Sequence, residues 1–336
     1  MRVLITGGAG YVGSICTEEL ITAGHEVVIL DDFRTGHPAA VHPAAQFVEG
    51  DFANAAIVRD VFRRASIDTV MHFAGETLVA KSMTDPQSYF DVNVKGGIEF
   101  LKVLLEHRIK VLIFSSTAAV YGEPLEIPIT ETHVKKPINA YGESKLIFER
   151  ILEWYGHAYG LKYAALRYFN AAGASSVYGE DHNPETHLLP CILNSFESGH
   201  EFVIHGADYD TPDGTCVRDY VHVVDIAQAH ILAMGALLRG KTGGAYNIGS
   251  SKGYSVREVL SAVEEVTGRK LRVRIGPRRK GDPAVLVASH EKLVRELVWK
   301  PRFSELRSIV RSAWEWRQSH PSGYHTVEPR LASRGM

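Results

Sequence analysis

Short apolar runs alternate with amphipathic stretches through the first half of the chain. The runs fall at 3–6, 27–30, 46–49, 69–72, 111–115 and 163–167, bounded by turn residues as strands are. Between them apolar residues recur at helical spacing, for example Ile147, Ile151 and Leu152, which predicts helices. The longest expected helices cover 86–107 and 140–159. Such alternation builds a parallel sheet sandwiched by helices, a doubly wound α/β fold. After about residue 175 the texture changes to interrupted segments with Gly, Pro and charged loops, such as 206–214. That pattern predicts a smaller, mixed α/β lobe with helices at 225–238, 256–267 and 306–320. No repeat or low-complexity linker separates the halves, so a shared interface is expected. Residues 321–336 read as a loosely held tail.

Composition narrows the function classes. An apolar fraction of 45% over 336 residues can fill a large core. Lys plus Arg (37) nearly balances Asp plus Glu (39), so no global field recruits nucleic acid or an anionic membrane, and an anionic ligand has to be met locally. Cys16, Cys191 and Cys216 are odd in number and scattered, which suits reduced thiols in a cytoplasmic enzyme. A first strand starting at Arg2 predicts no signal peptide, and no apolar run approaches the roughly 20 residues of a membrane span. The sixteen histidines read as dispersed without ligand spacing, and no metal is expected.

The first strand runs into Gly7-Gly-Ala-Gly10-Tyr-Val-Gly13 and then into an apolar helix. Gly7 permits a tight turn, Gly10 lets backbone approach a pyrophosphate, and Gly13 lets helix pack on strand. Free N–H groups at the helix start complete an anion site. The second strand ends in Asp31-Asp32, where a carboxylate can accept both hydroxyls of an adenosine ribose and repel a 2′-phosphate. This favours NAD over NADP. Arg34 argues the other way, since an arginine there can accommodate that phosphate. Ligands in such sheets lie beyond the carboxyl ends of the strands, where Gly50-Asp51-Phe52, His72-Phe73-Ala74-Gly75, Ser115-Ser116-Thr117 and Arg167-Tyr168-Phe169-Asn170 fall.

Tyr141 and Lys145, in Ala140-Tyr-Gly-Glu-Ser-Lys145, stand one helical turn apart on one face. A free tyrosine titrates near about 10, so use as a base at neutral pH needs about 4 kcal/mol of anion stabilisation. One ammonium and one oxidised nicotinamide together can supply that. The hydroxyl of Thr117 can hold a substrate hydroxyl against the phenolate.

Taken in order, Gly7-x-x-Gly10-x-x-Gly13, Ser115-Ser-Thr-Ala-Ala-Val-Tyr-Gly122, Tyr141-x-x-x-Lys145 and Leu166-Arg-Tyr-Phe-Asn-Ala-Ala-Gly173 resemble the extended short-chain dehydrogenase/reductase family. Within it they resemble the UDP-glucose 4-epimerase branch. The likeness continues through Thr215-Cys-Val-Arg-Asp-Tyr-Val-His222, Pro277-Arg-Arg-Lys-Gly-Asp-Pro283 and Trp314-Glu-Trp316. It implies an NAD-binding Rossmann domain over 1–175 and a nucleotide-sugar-binding lobe over 176–320, with sheet elements continued near 216–248. It also implies a tightly held NAD, a catalytic set of Thr117, Tyr141 and Lys145, and a UDP-hexose substrate. Cofactor positions carried over are Gly7, Gly10, Tyr11, Val12, Gly13, Asp31, Asp32, Asp51, Phe52, Phe73, Ala74, Gly75, Asn93, Tyr141, Lys145 and Phe169. Substrate positions are Thr117, Tyr141, Asn170, His205, Arg218, Arg279 and Asp282, with Val285 at the sugar pocket. Relatives and the two long helices imply a homodimer.

The implied reaction inverts C4 of the sugar through a 4-keto intermediate with no net redox change. Tyr141 exchanges the hydroxyl proton, Lys145 lowers its pKa and bonds the nicotinamide ribose, and Thr117 orients the hydroxyl. Thr77 stands where many epimerases have lysine, so no lysine contact is carried over there. Val285 replaces a tyrosine and leaves volume for an N-acetyl group, so the N-acetylated UDP-sugar pair is a candidate substrate. A 4,6-dehydratase would carry Asp-Glu where this chain has Ala118-Ala119, and a decarboxylase would want an acidic residue there. A silent NAD-binding regulator would usually lack the Tyr/Lys pair.

Overall fold

The computed structural model describes residues 1–279 and 282–326. In chain order the first half comprises β1 (Arg2–Thr6), α1 (Tyr11–Thr22), β2 (Glu26–Asp31), β3 (Gln46–Glu49), α2 (Ala55–Arg64), β4 (Thr69–His72), α3 (Val79–Ser82), α4 (Pro86–Tyr89), α5 (Gly97–Glu106), β5 (Val111–Thr117), α6 (Ala140–Tyr159) and β6 (Lys162–Tyr168). These expected strands form one parallel sheet in the order β3-β2-β1-β4-β5-β6. Strands β1, β4 and β5 are buried almost throughout, which is why they read as continuous apolar runs rather than alternating ones. The strand order reverses between β1 and β4, and the crevice at their carboxyl ends is the ligand position of such sheets.

The second half adds β7 (Asn170–Ala172), α7 (Leu188–Ser198), β8 (Phe202–His205), β9 (Val217–His222), α8 (Val223–Leu238), β10 (Gly244–Ile248), β11 (Gly253–Ser255), α9 (Val256–Thr267), β12 (Val273–Gly276), β13 (Val285–Leu286), α10 (Glu291–Leu297) and α11 (Leu306–Ser319). The chain returns to the first sheet, where β10 pairs parallel with β6 as a seventh strand, and α8 packs against α1. Strand β9, also within the expected continuation, instead centres a small sheet with β7, β11 and β13. Strands β8 and β12 form a separate pair.

Three expectations need correction. The helix expected over 86–107 is broken into α4, a π-helical segment Phe90–Gly96 and α5. The wide turn carries Asn93, whose side chain bonds Glu76 and Ser144, and a Cβ on Gly97 would meet Phe148 at 2.4 Å. Such π segments often sit at functional sites. Helix α7 was unexpected because Pro190 interrupts its sequence, yet a proline in the first turn forfeits no helical hydrogen bond. In the expected tail, Tyr324 is buried, donating its backbone N–H to Asp181 and accepting at its hydroxyl from the Gly179 N–H. Residues 327–336 of that tail lie outside the described residues.

Candidate active site

The glycine turn after β1 is built as its sequence requires. Gly7 has φ +75°, and a Cβ there would meet the Ala74 amide at 2.6 Å. At Gly13 it would meet the Gly7 carbonyl at 2.1 Å, so the third glycine seats α1 on the turn. Gly10 differs: the nearest atom to its Cβ position is 3.5 Å away, an ordinary contact. Nothing inside the protein demands glycine there; what a side chain would obstruct is the approach of a ligand. Gly10 caps α1 without a side-chain hydrogen bond, so the first-turn amides, Tyr11 and Val12 among them, are available to an anion.

At the end of β2, Asp31 is buried and accepts the amides of Ala9 (2.9 Å) and Phe33 (2.9 Å). Burial raises its carboxyl above the ordinary value, and those amide bonds oppose the shift. Asp32 and Asp51 converge on Arg34, at 2.9 Å and 3.5 Å, with Glu76 at 3.9 Å. This resolves the reservation about Arg34. Its guanidinium is already matched by carboxylates, and a 2′-phosphate would have to displace them beside Asp31. Phe52 lies edge-on to His72 beneath the crevice. Phe73 and Ala74 hang from Thr6 by backbone bonds of 2.9 and 3.1 Å. Asn93 spends its amide on Glu76 and Ser144, so it fixes the Gly75–Glu76 backbone at the crevice rim. Phe169 is buried among Val120, Tyr121, Ile129, Leu146 and Ala288.

Thr117 ends β5 and caps a short turn (Ala118–Val120) by accepting the Ala119 amide. Helix α6 starts against that turn: Asn139 caps it through the Gly142 amide at 2.8 Å, and a Cβ on Gly142 would strike the Ala119 carbonyl at 2.4 Å. This close seat brings Tyr141 beside Thr117, whose side chain favours the ionised phenol. Lys145 follows one turn on, buried, donating to the Ser115 carbonyl at 3.0 Å and standing over the Phe114 ring. Burial lowers its ammonium to about 8, and Glu149, a further turn along α6, opposes that fall.

The expected acidic phenol is not a property of the protein alone. Burial pushes Tyr141 above its ordinary value, and the Thr117 side chain offsets part of this. Lys145 gives a hydrogen bond to a carbonyl instead. Desolvation disfavours the phenolate, and a positive charge arriving with a ligand is what the geometry leaves room for.

In the second lobe Arg218 on β9 is buried, ion-paired with Asp282 and bonded to the Val217 carbonyl at 2.8 Å. Val285 pairs with Val217 in the same sheet, and Asn170 pairs with Tyr220 across β7 and β9. Arg218, Val285 and Asn170 thus belong to one sheet, and Asp282 is tied to it through its ion pair with Arg218. His205 ends β8 in the separate strand pair. Arg279 is exposed, its carbonyl accepting the Asp282 amide. Of the motif 277–283, Lys280 and Gly281 lie outside the described residues.

Several residues near Lys145 were missed in the sequence. Arg167 on β6 donates to Glu149 through Nε (2.9 Å) and Nη2 (2.5 Å) and to the Tyr121 hydroxyl (2.7 Å). Ser116 also donates to Glu149, and Tyr121 donates to Asn247. All five are buried. The available signal was an arginine inside an apolar strand, which is almost never buried unpaired. His72 is a second omission: bonded to Thr6 at 2.6 Å and ringed by Phe52, Phe100, Phe114 and Phe148, it is lowered by burial and by Lys145 to about 3. It is therefore a neutral imidazole beneath the lysine.

Comparison with known proteins agrees with this geometry. Residues 3–249 match the model of the NAD dependent epimerase/dehydratase family. The UDP-glucose 4-epimerase of Streptococcus mutans serotype c is 51% identical over 329 residues, covering 96% of this chain and 99% of that protein. A Stenotrophomonas maltophila UDP-glucose-4-epimerase crystal structure, with bound NAD and formylated UDP-arabinopyranose, superposes with a TM-score of 0.92 at 38% identity; the match covers 96% of this chain and 99% of that one. The UDP-Glc/GlcNAc 4-epimerase of Campylobacter jejuni superposes with a TM-score of 0.82 at 36% identity, covering 95% and 99%. With the family model spanning well over half the chain and the relatives nearly all of it, the chain belongs to the NAD dependent epimerase/dehydratase family.

Proposed function

We propose that the chain is an NAD-dependent 4-epimerase of UDP-hexoses, interconverting UDP-galactose and UDP-glucose. The observation that carries this reading is Tyr141 set beside Thr117, with Lys145 buried one turn away on the same helix, next to a glycine turn whose middle glycine serves no internal contact. Gly7 to Gly13 and the α1 amides would hold the pyrophosphate of NAD, and Asp31 its adenosine ribose. Bound NAD supplies a place for the C4 hydride to rest between removal and return, and in its oxidised form adds positive charge. Tyr141 takes the C4 hydroxyl proton and returns it to the same oxygen, the inversion arising because the hydrogen re-enters C4 from the opposite face. Thr117 orients that hydroxyl, and Lys145 supports the phenolate. Arg218, Arg279, Asp282, Asn170 and His205 would hold the UDP moiety, the arginines by bidentate contact with phosphate oxygens.

Because each cycle regenerates the oxidised cofactor, the purified protein is expected to convert UDP-galactose to UDP-glucose with no dinucleotide added. Mass spectrometry of the denatured protein should then find NAD rather than NADP. Absence of product even with added NAD would refute the reading. Val285, small and in register beside Val217, supports acceptance of the N-acetylated pair as well, as the name of the C. jejuni relative states for that enzyme. No measurable turnover of UDP-N-acetylglucosamine would end that extension.

The boundary we favour, dinucleotide binding before about residue 175 and sugar-nucleotide binding after it, is functional rather than structural, since β10 rejoins the first sheet. Limited proteolysis releasing two folded halves would contradict it. Helix α6 presents Trp154, 72% exposed, one turn after half-buried Ile151. That apolar strip supports a homodimer, and sedimentation at the mass of one chain would refute it. Among the described residues no helix is long and apolar enough to cross a membrane. With the balanced charge, this supports a cytoplasmic location, which recovery in a membrane fraction would contradict.

A further inference from the structure

We propose that Glu180, His182, Glu185 and His187 form a binding site for one divalent transition metal, zinc foremost, independent of the catalytic chemistry. The four side chains lie in the connection between β7 and α7, and one donor atom from each falls within 4.8 Å of all the others. His182 Nδ1 stands 3.3 Å from Glu180 Oε1 and 3.6 Å from Glu185 Oε2, and His187 Nδ1 contacts the same Glu180 oxygen. Donors at about 2.1 Å from a tetrahedral ion lie about 3.4 Å apart, so the first two separations already match a coordination cage. His187 has to move back, and its side chain is 55% exposed, whereas Glu180 (6%) and Glu185 (10%) are enclosed.

The donor types decide the class of ion. Two imidazoles with two carboxylates suit zinc and its first-row neighbours, whereas calcium and magnesium prefer an all-oxygen set. The carboxylates are also held in place. Glu185 Oε1 accepts the amides of Thr186 and His187 at 2.7 and 2.8 Å, which leaves Oε2 facing His182. The ring of Tyr11, at the start of α1, meets His182 edge-on. Neighbouring Asp181 accepts the Tyr324 amide at 2.9 Å and bonds His37 through its carbonyl. The cluster therefore stands where α1, α7 and the segment after α11 meet. An ion there would fasten those parts together, and such ligand-held order is the usual contribution of a structural metal.

Equilibrium titration of the metal-stripped, untagged full chain with Co²⁺ and Zn²⁺ tests the site. One ion per chain should bind, Co²⁺ should give visible ligand-field bands, and Zn²⁺ should raise Tm by several degrees. Both His182→Gln and Glu185→Gln should weaken binding at least 100-fold and abolish the Tm increase, while epimerase turnover stays within a few-fold. Should one variant fail to fold, the wild-type titration and the other variant still decide. Absence of stoichiometric binding by the wild-type chain, or equal binding by the variants, would overturn the proposal and leave a hydrogen-bonded His–Glu cluster.

Discussion

Tyr141→Phe is expected to lower kcat for UDP-galactose epimerisation about a thousandfold, the middle of the range for removing a positioned proton-transfer group. KM should change little, because the substrate's anionic groups are assigned to the second lobe rather than to the phenol. Folding stability should stay within about 1 kcal/mol of wild type: the variant loses the polar contact with Thr117 but no longer buries a hydroxyl. Co-purified NAD should remain at wild-type occupancy, since Gly7 to Gly13 and Asp31 are untouched. Paired kinetics and thermal melts separate this outcome from simple unfolding. Turnover within tenfold of wild type would remove Tyr141 from the chemistry.

Glu149→Ala is expected to destabilise the fold by about 3–5 kcal/mol, because removing one member of a buried ion pair strands the other. Here the stranded group is Arg167, whose guanidinium makes two bonds to Glu149, the shorter of them 2.5 Å. Ser116 loses its acceptor too. The double variant Glu149→Leu/Arg167→Met should recover most of that loss, since apolar replacement of a whole buried pair is often neutral or better. Activity should not recover with it. Glu149 opposes the fall of the Lys145 ammonium caused by burial, so without it Lys145 carries less charge at neutral pH. Denaturation midpoints and kcat measured on the wild type and the two variants check this. A single-variant loss below 1 kcal/mol would show the pair to be solvated.

What the sequence made legible was what acts locally. The glycine turn follows β1 and precedes α1 within a dozen residues, and each glycine's steric role can be read from spacing alone. Helix α6 was legible from end to end because its apolar positions repeat at helical period and Gly160 stops it with φ +70°. The Tyr141 and Lys145 pair rides on that helix. Its protonation state was not legible, because burial of a phenol is a tertiary property that no local pattern reports. The bonds from Tyr121 to Asn247 and from Arg167 to Glu149 join three elements and the loop after β5 across up to 126 positions, so periodicity could not reveal them. The π segment Phe90–Gly96 was hidden for a similar reason, since the pull of Asn93 toward Glu76 and Ser144 lies outside its own helix. The Glu180 to His187 cluster is local, but the histidines read as dispersed without ligand spacing, and only the folded loop turns the two carboxylates toward them.

The central claim is that hydrogen leaves C4 as hydride and returns to the same carbon without passing through water, while Tyr141 handles only the hydroxyl proton. UDP-galactose deuterated at C4 tests it directly. UDP-glucose should keep the deuterium at C4 with no solvent hydrogen incorporated there, as followed by NMR of the product. Product whose C4 hydrogen comes from solvent would contradict it.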